Sequence, residues 1–256
     1  TVVNDDKRSS STGTFKTLNN TYNRFKIAAS SCAATNSNNT VFSSIKNEFP
    51  LLFQHMGDLH YADINTNDVN LYRLEYERLF TLSNQKTLYE NTPLAYIWDD
   101  HDYGANNSGA SSISRTAARS AYRAYIPSYN LPNTGAIYYS YAIDNVLFVV
   151  TDNRSERSLV SNTDNSSKTV LGTEQKQWFK DTLLAAKGVY KGVVWYNSFP
   201  WLGNAFSDDE WCYYATERTE LATYIKTNEI PLLAIICGDA HMIAIDNGSA
   251  NEIYGV

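Results

Sequence analysis

Several protein classes are excluded by what this chain has little of. It holds three cysteines, Cys32, Cys212 and Cys237, too few and too odd in number for a disulfide scaffold. Charged residues make up 19% of the sequence, below the ~25% usual for soluble domains. The 21 Lys and Arg stand against 27 Asp and Glu, a formal charge of −6, so no nucleic-acid-binding surface is expected, because phosphate binding needs a basic face. The longest apolar runs, 146–150 and 230–237, fall far short of the ~18 residues of a membrane span, and no transmembrane segment is expected. No Pro- or Gly-rich linker, repeat or composition break divides the chain. The expected organisation is a polar tail or edge segment over 1–24 and one domain over 25–256.

Asn, Ser, Thr and Tyr fill the place of the missing charge, with 19 tyrosines among the 256 residues. That composition suits an extracellular surface. The chain opens at Thr1 with no visible signal peptide, so a processed, secreted or cell-surface form is expected. Asn-x-Ser/Thr triplets begin at Asn19, Asn38, Asn106, Asn153, Asn165 and Asn247, making a glycoprotein a weak further expectation.

Short apolar runs read as strands over 25–30, 51–55, 94–98, 146–151, 193–197 and 232–237. Between them, Val69, Tyr72, Tyr76, Leu79 and Phe80 share one helical face, as do Ile113, Ala117, Ala121 and Tyr125, and 175–187 and 217–226 have helical spacing. Runs 136–142 and 146–151, joined by Asp144-Asn145, predict a hairpin. Alternating strands and helices predict an α/β fold with a buried sheet.

Polar residues follow the strand runs directly: Ser31-Cys32; Gly57-Asp58-Leu59-His60-Tyr61-Ala62-Asp63; Asp99-Asp100-His101-Asp102-Tyr103; Asp152-Asn153-Arg154; and Gly238-Asp239-Ala240-His241. Open α/β sheets bind ligands beyond the carboxyl ends of their strands, so these clusters are expected to meet on one rim. All four histidines lie in or beside them. A carboxylate-rich set with few His suits hard cations better than structural zinc.

Taken together, Ala29-Ser30-Ser31-Cys32, Gly57-Asp58-x-x-Tyr61-x-Asp63, Trp98-Asp99-Asp100-His101-Asp102-Tyr103-Gly104-x-Asn106-Asn107, Asp152-x-Arg154 and Gly238-Asp239-x-His241 resemble the alkaline phosphatase D (PhoD-like) branch of the metallophosphoesterases. Asp209-x-Trp211 followed by Glu217-Arg218 is a weaker match. The resemblance implies a metallophosphoesterase-like layered sheet sandwich flanked by helices, with the metal site at the carboxyl ends of strands. It implies a phosphohydrolase acting on a phosphate-ester small molecule, a phosphomonoester first and a diester second, through a metal-activated water. It also implies Cys32 in place of the superfamily's first acidic ligand, Asp58 as bridging carboxylate, and Tyr61, Asp100, Asp239 and His241 as further ligands. His101 takes the place of the catalytic histidine, and the family's metals are Fe³⁺ and Ca²⁺.

Physical chemistry extends this. His101 between two aspartates can donate a proton to a leaving oxygen, and the fork of Arg154 matches phosphate oxygens. Asp63 and Asp102 read as orienting groups, Asp152 as an orienting group or ligand, and Asn197 as a weak candidate ligand. Without the resemblance, Cys32 reads as a small buried residue, Tyr61 as a packing aromatic, and Asp152 with Arg154 as a structural ion pair. His55 reads as structural, His60 is unassigned, and Trp98, Trp195, Trp201 and Trp211 read as core or pocket wall. Two other functions remain open: a secreted or surface structural protein that self-assembles while retaining the phosphatase fold, and a protein that holds phosphate without turnover.

Overall fold

In a computed structural model of the chain, the described residues are 2–3, 10–11, 24–128, 130–203 and 208–249. The tail expected over 1–24 lies almost wholly outside them. Within it β1 (Val2–Val3) and β2 (Ser10–Ser11) are described, as an antiparallel pair, together with Arg24 at its end.

Two sheets form the body. The first is parallel, in the order β3 (Ile27–Ser30), β4 (Leu52–Met56), β5 (Leu94–Ile97). The second runs β6 (Tyr139–Ile143), β7 (Val146–Val150), β8 (Gly192–Asn197), β9 (Leu232–Cys237), with only the β6–β7 hairpin antiparallel. Asp144 turns that hairpin in the left-handed region, at φ 51°, which Asp tolerates better than most side chains.

Period-two alternation sorts the core into layers. Phe148 and Val150 of β7 and Tyr196 of β8 pack toward Met56, Ala95 and Ile97 of the first sheet. The intervening Leu147, Val149, Val193 and Trp195 face the other way, against Phe179, Leu183, Leu221 and Ile225. Those come from α6 (Gly172–Ala186) and α7 (Ala215–Thr227), and a 3₁₀ turn (Trp211–Tyr214) precedes α7. On the outer face of the first sheet, Phe53 packs on Phe42 of α1 (Thr40–Asn47) and Leu88 of α3 (Ser83–Tyr89). The result is a sandwich of two sheets flanked by helices.

The helical stripe from Val69 to Phe80 forms α2 (Val69–Thr81), started by the Asp68 carboxylate accepting from Asn70 N–H. The stripe at Ala117 and Ala121 forms α5 (Arg115–Tyr125), but Ile113 precedes the helix and is exposed. Helices α1, α3 and α4 (Asp100–Tyr103) span only 4 to 8 residues each, too short to carry a periodic apolar stripe. Trp98, Trp195, Trp201 and Trp211 are all buried, as expected of core residues. Among the described residues no helix is long and apolar enough to cross a membrane.

Candidate active site

The parallel strands deliver their carboxyl ends to one rim, where the two sheets touch. Cys32 N–H bonds to Gly57 O at 3.1 Å and Ala33 N–H to Asp58 O at 2.8 Å, joining the β3 and β4 loops. Ser198, just past β8, donates from Oγ to Asp99 Oδ1 at 2.5 Å, joining the second sheet to the β5 loop. Gly57, at φ +96°, passes so close to Asp99 that an added Cβ would sit 2.3 Å from Asp99 Cβ. Cys32, Asp58, Asp63, Asp239 and His241 all have φ between 49° and 63°. Left-handed backbone is uncommon outside glycine and gathers at functional sites.

Among the described residues, three groups have ligand atoms that lie, within each group, no more than 4.8 Å from one another: Cys32, Asp58 and His241; Asp58, Asp100 and His101; and Asp58, Asp99, Asp100 and Asp239. Asp58 belongs to all three. The Tyr61 hydroxyl is hydrogen-bonded to His241 Nε2 at 2.9 Å. The structure therefore brings together Cys32, Asp58, Tyr61, Asp100, Asp239 and His241. It adds Asp99, which sequence reasoning passed over although it directly precedes Asp100.

The electrostatics fit a cation here. Asp58 Oδ1, Asp99 Oδ2 and Asp100 Oδ1 are buried without a hydrogen-bond partner, an arrangement that native proteins avoid unless something else satisfies them. Burial first, then Asp99, Asp102 and Asp100, push the Asp58 carboxyl up to about 10. Burial and then Asp99 raise Asp239 to about 8. Burial pushes the Cys32 thiol up to about 12, with Asp58 and Asp99 adding to it, and burial with the Asp58 charge raises Tyr61 above its ordinary range. Asp100 goes the other way: burial disfavours its charge, but the Arg154 guanidinium and the Asn107 N–H, 2.6 Å from Oδ2, hold it below the usual carboxylate range. A site that crowds acids and leaves their oxygens unpartnered is one that positive charge stabilises.

His101 stands at the edge of this group. Its Nδ1 is 2.6 Å from Asp63 Oδ1, and its Nε2 lies 4.0 Å from Asp100 Oδ2. The ring packs on Tyr61, with centroids 4.3 Å apart. Asp63 thus orients His101.

Other expected site residues hold different positions. Arg154, expected to match phosphate oxygens, is 0% exposed: its Nε donates to Asp99, and its fork grips Asp209 at 2.9 and 2.6 Å. Asp152 is not its ionic partner. That carboxylate accepts from Trp98 Nε1 and from the backbone of Ile137, Arg154 and Ser155, and it belongs to none of the three groups. Asn197 Oδ1 accepts from Asn153 and Trp211, and its amide donates to Phe199 O, so it is structural. Asp102 ties the rim together, accepting from Leu59 and Asp99 N–H and from the Tyr96 hydroxyl. His55 is buried within β4 between Phe53 and Tyr96, and burial lowers its pKa to about 3. His60 is buried against Tyr76, and Ala62 N–H approaches its Nδ1 at 3.4 Å.

Fold and rim together define a metallophosphoesterase-like α/β protein. The PhoD-like phosphatase family matches residues 27–252, and the chain belongs to that family. A curated relative, alkaline phosphatase D of Bacillus subtilis (strain 168), is 25% identical over 201 residues, covering 66% of this chain and 34% of the relative. The solved structure of PhoD superposes with a TM-score of 0.72 at 21% identity, over 90% of this chain and 52% of that one. A purple acid phosphatase from yellow lupin (Lupinus luteus) seeds superposes at 0.55 and 12% identity, over 84% and 37%. These two structures show the shared fold. The chain spans about a third of the curated relative's length and about half of the solved PhoD chain.

Proposed function

We propose that this chain is a metal-dependent phosphoric ester hydrolase acting on phosphomonoesters, with diesters as a second substrate class. One observation carries the reading: three cation-competent groups share Asp58, two of them complete without His101, whose Nδ1 is held by Asp63. The all-oxygen group of Asp58, Asp99, Asp100 and Asp239 suits Ca²⁺, while Cys32 with Asp58, His241 and the neighbouring Tyr61 suits Fe³⁺. When bound, such cations neutralise phosphoryl charge and acidify a water. The chain's own residues do the rest. Asp63 holds the Nδ1 side of His101, leaving Nε2 to pass a proton to the departing alkoxide oxygen. Trp98, Tyr103 and the Asp102 bonds make the β5 loop rigid, so that Asp100 and His101 keep their spacing. The test is hydrolysis of an aryl phosphate and of a bis-aryl phosphate by purified chain, before and after chelation and with Fe³⁺ and Ca²⁺ restored. Absence of turnover with both cations bound would refute hydrolysis and leave a phosphate-holding role.

A secreted or cell-surface location is part of the same proposal, supported by the Asn, Ser, Thr and Tyr content. Of the candidate glycosylation sites, Asn153 is fully buried and Asn19 lies outside the described residues, whereas Asn38, Asn106, Asn165 and Asn247 are exposed. Mass spectrometry of the natively produced protein tests their modification.

A further inference from the structure

Asp209 lies outside the three cation-competent groups, yet a buried network runs from it to two of their carboxylates. Arg154 is the link. Its Nη1 and Nη2 donate to the two oxygens of Asp209, its Nε to Asp99 Oδ1, and its Nη2 lies 3.5 Å from Asp100 Oδ1. Arg157 also donates to Asp209, and its Nε donates to the Tyr214 hydroxyl at 2.9 Å. Phe199 lies over both guanidiniums, 5.2 and 5.4 Å from ring centroid to carbon. The side chains of Arg154, Arg157, Asp99, Asp100 and Asp209 are at most 4% exposed.

We propose that Asp209 is a positioning residue: by occupying the fork of Arg154, it keeps that guanidinium from turning further onto Asp99 Oδ2 and Asp100 Oδ1, and so leaves those oxygens for a cation. The proposal rests on the reading of this group as a cation site. A buried guanidinium whose fork loses its partner must find another acceptor, because leaving it unpaired is costly. Asp99 Oδ2 and Asp100 Oδ1 are the buried oxygens beside it that accept no hydrogen bond, the second already within ion-pair distance of Nη2. If Arg154 turned onto them, it would take donor atoms from the cation group. Asp99 Oδ1 would stay held by Ser198, so the harm falls on the oxygens that face the group.

The test titrates the whole chelated chain with Ca²⁺ alone by calorimetry. Asp209→Asn is expected to weaken binding roughly 10–100-fold, the usual worth of an outer partner of metal ligands, and Asp209→Glu to restore much of it. Phe179→Leu, in the sheet–helix core away from the rim, is the control for lost stability and should leave affinity unchanged. Wild-type binding with equal binding by Asp209→Asn overturns the proposal while leaving the proposed function intact. A wild-type chain that binds no Ca²⁺ overturns the Ca²⁺ reading and this proposal with it. Should Asp209→Asn not fold, Arg157→Lys loosens the same anchor more gently and must still weaken binding several-fold. Unchanged affinity in that variant overturns the proposal as well.

Discussion

Replacing Gly57 by Ala tests how tightly the rim is assembled. Two costs arise, and a second glycine separates them. Gly57 has φ +96°, where an L side chain is strained, and its new Cβ would lie 2.3 Å from Asp99 Cβ and 2.7 Å from Asp99 N. Backbone strain of this kind costs about 1–2 kcal/mol. Forcing a methyl into a packed site costs a further ~1–3 kcal/mol. Gly188, past the end of α6, has φ +76° with nothing within 4 Å of its Cβ position, so Gly188→Ala carries the strain alone. Urea unfolding of the two variants, with unchanged denaturant slopes, should show Gly57→Ala the less stable by ~1–3 kcal/mol. Because the clash displaces Asp99, Gly57→Ala should also weaken cation binding, and Gly188→Ala should not. Equal stability losses in the two variants would refute the close approach of Gly57 to Asp99.

His101→Ala should lower turnover ~10²–10⁴-fold with bound cations retained, as expected when a general acid is lost. The loss should be smaller for aryl phosphates than for alkyl phosphates, and equal losses would argue against proton donation. Cys32→Ser should lower Fe³⁺ content more than Ca²⁺ content by elemental analysis, since a hydroxyl ionises less readily than a thiol. The same change at Cys212 should leave both metals in place. Tyr61→Phe should weaken and shift the visible charge-transfer absorption of the iron-loaded protein, leaving the contribution of the Cys32 thiolate, and a spectrum identical to that of the wild type removes Tyr61 from the ligand set. In the chelated protein, Asp58 at about 10, Asp239 at about 8 and Asp99 at about 6 lie above their unfolded values near 4. The folded state then binds more protons than the unfolded state between about pH 4 and 10. Stability should therefore fall as pH rises through that window, and added cation should flatten the profile. A cation-free melting temperature that rises from pH 6 to 9 would contradict this.

Local pattern made much of this protein legible. The strand runs coincide with β3, β4, β5, β7, β8 and β9 to within a few residues, because alternating or continuous apolar character reports burial directly. The rim was legible for a related reason: parallel strands all deliver their following residues to the same end, so Cys32, Asp58, Asp100 and Asp239 meet without any knowledge of their contacts. What each polar side chain does there was not legible, because its partners come from distant parts of the chain. Arg154 reads as a phosphate clamp until its partners Asp99 and Asp209, each 55 residues away, occupy it. Asn197 reads as a possible ligand until Asn153 and Trp211 occupy its oxygen. Asp99 reads as a neighbour of Asp100 until the bonds from Arg154 and Ser198 hold one of its oxygens and leave the other buried beside Asp58. The sequence by itself determined which residues reach the rim, because strand order and direction follow from local periodicity. Only the tertiary structure decided which of them remain free for a cation, because a carboxylate or guanidinium is committed by whichever opposite charge folding brings within hydrogen-bond reach.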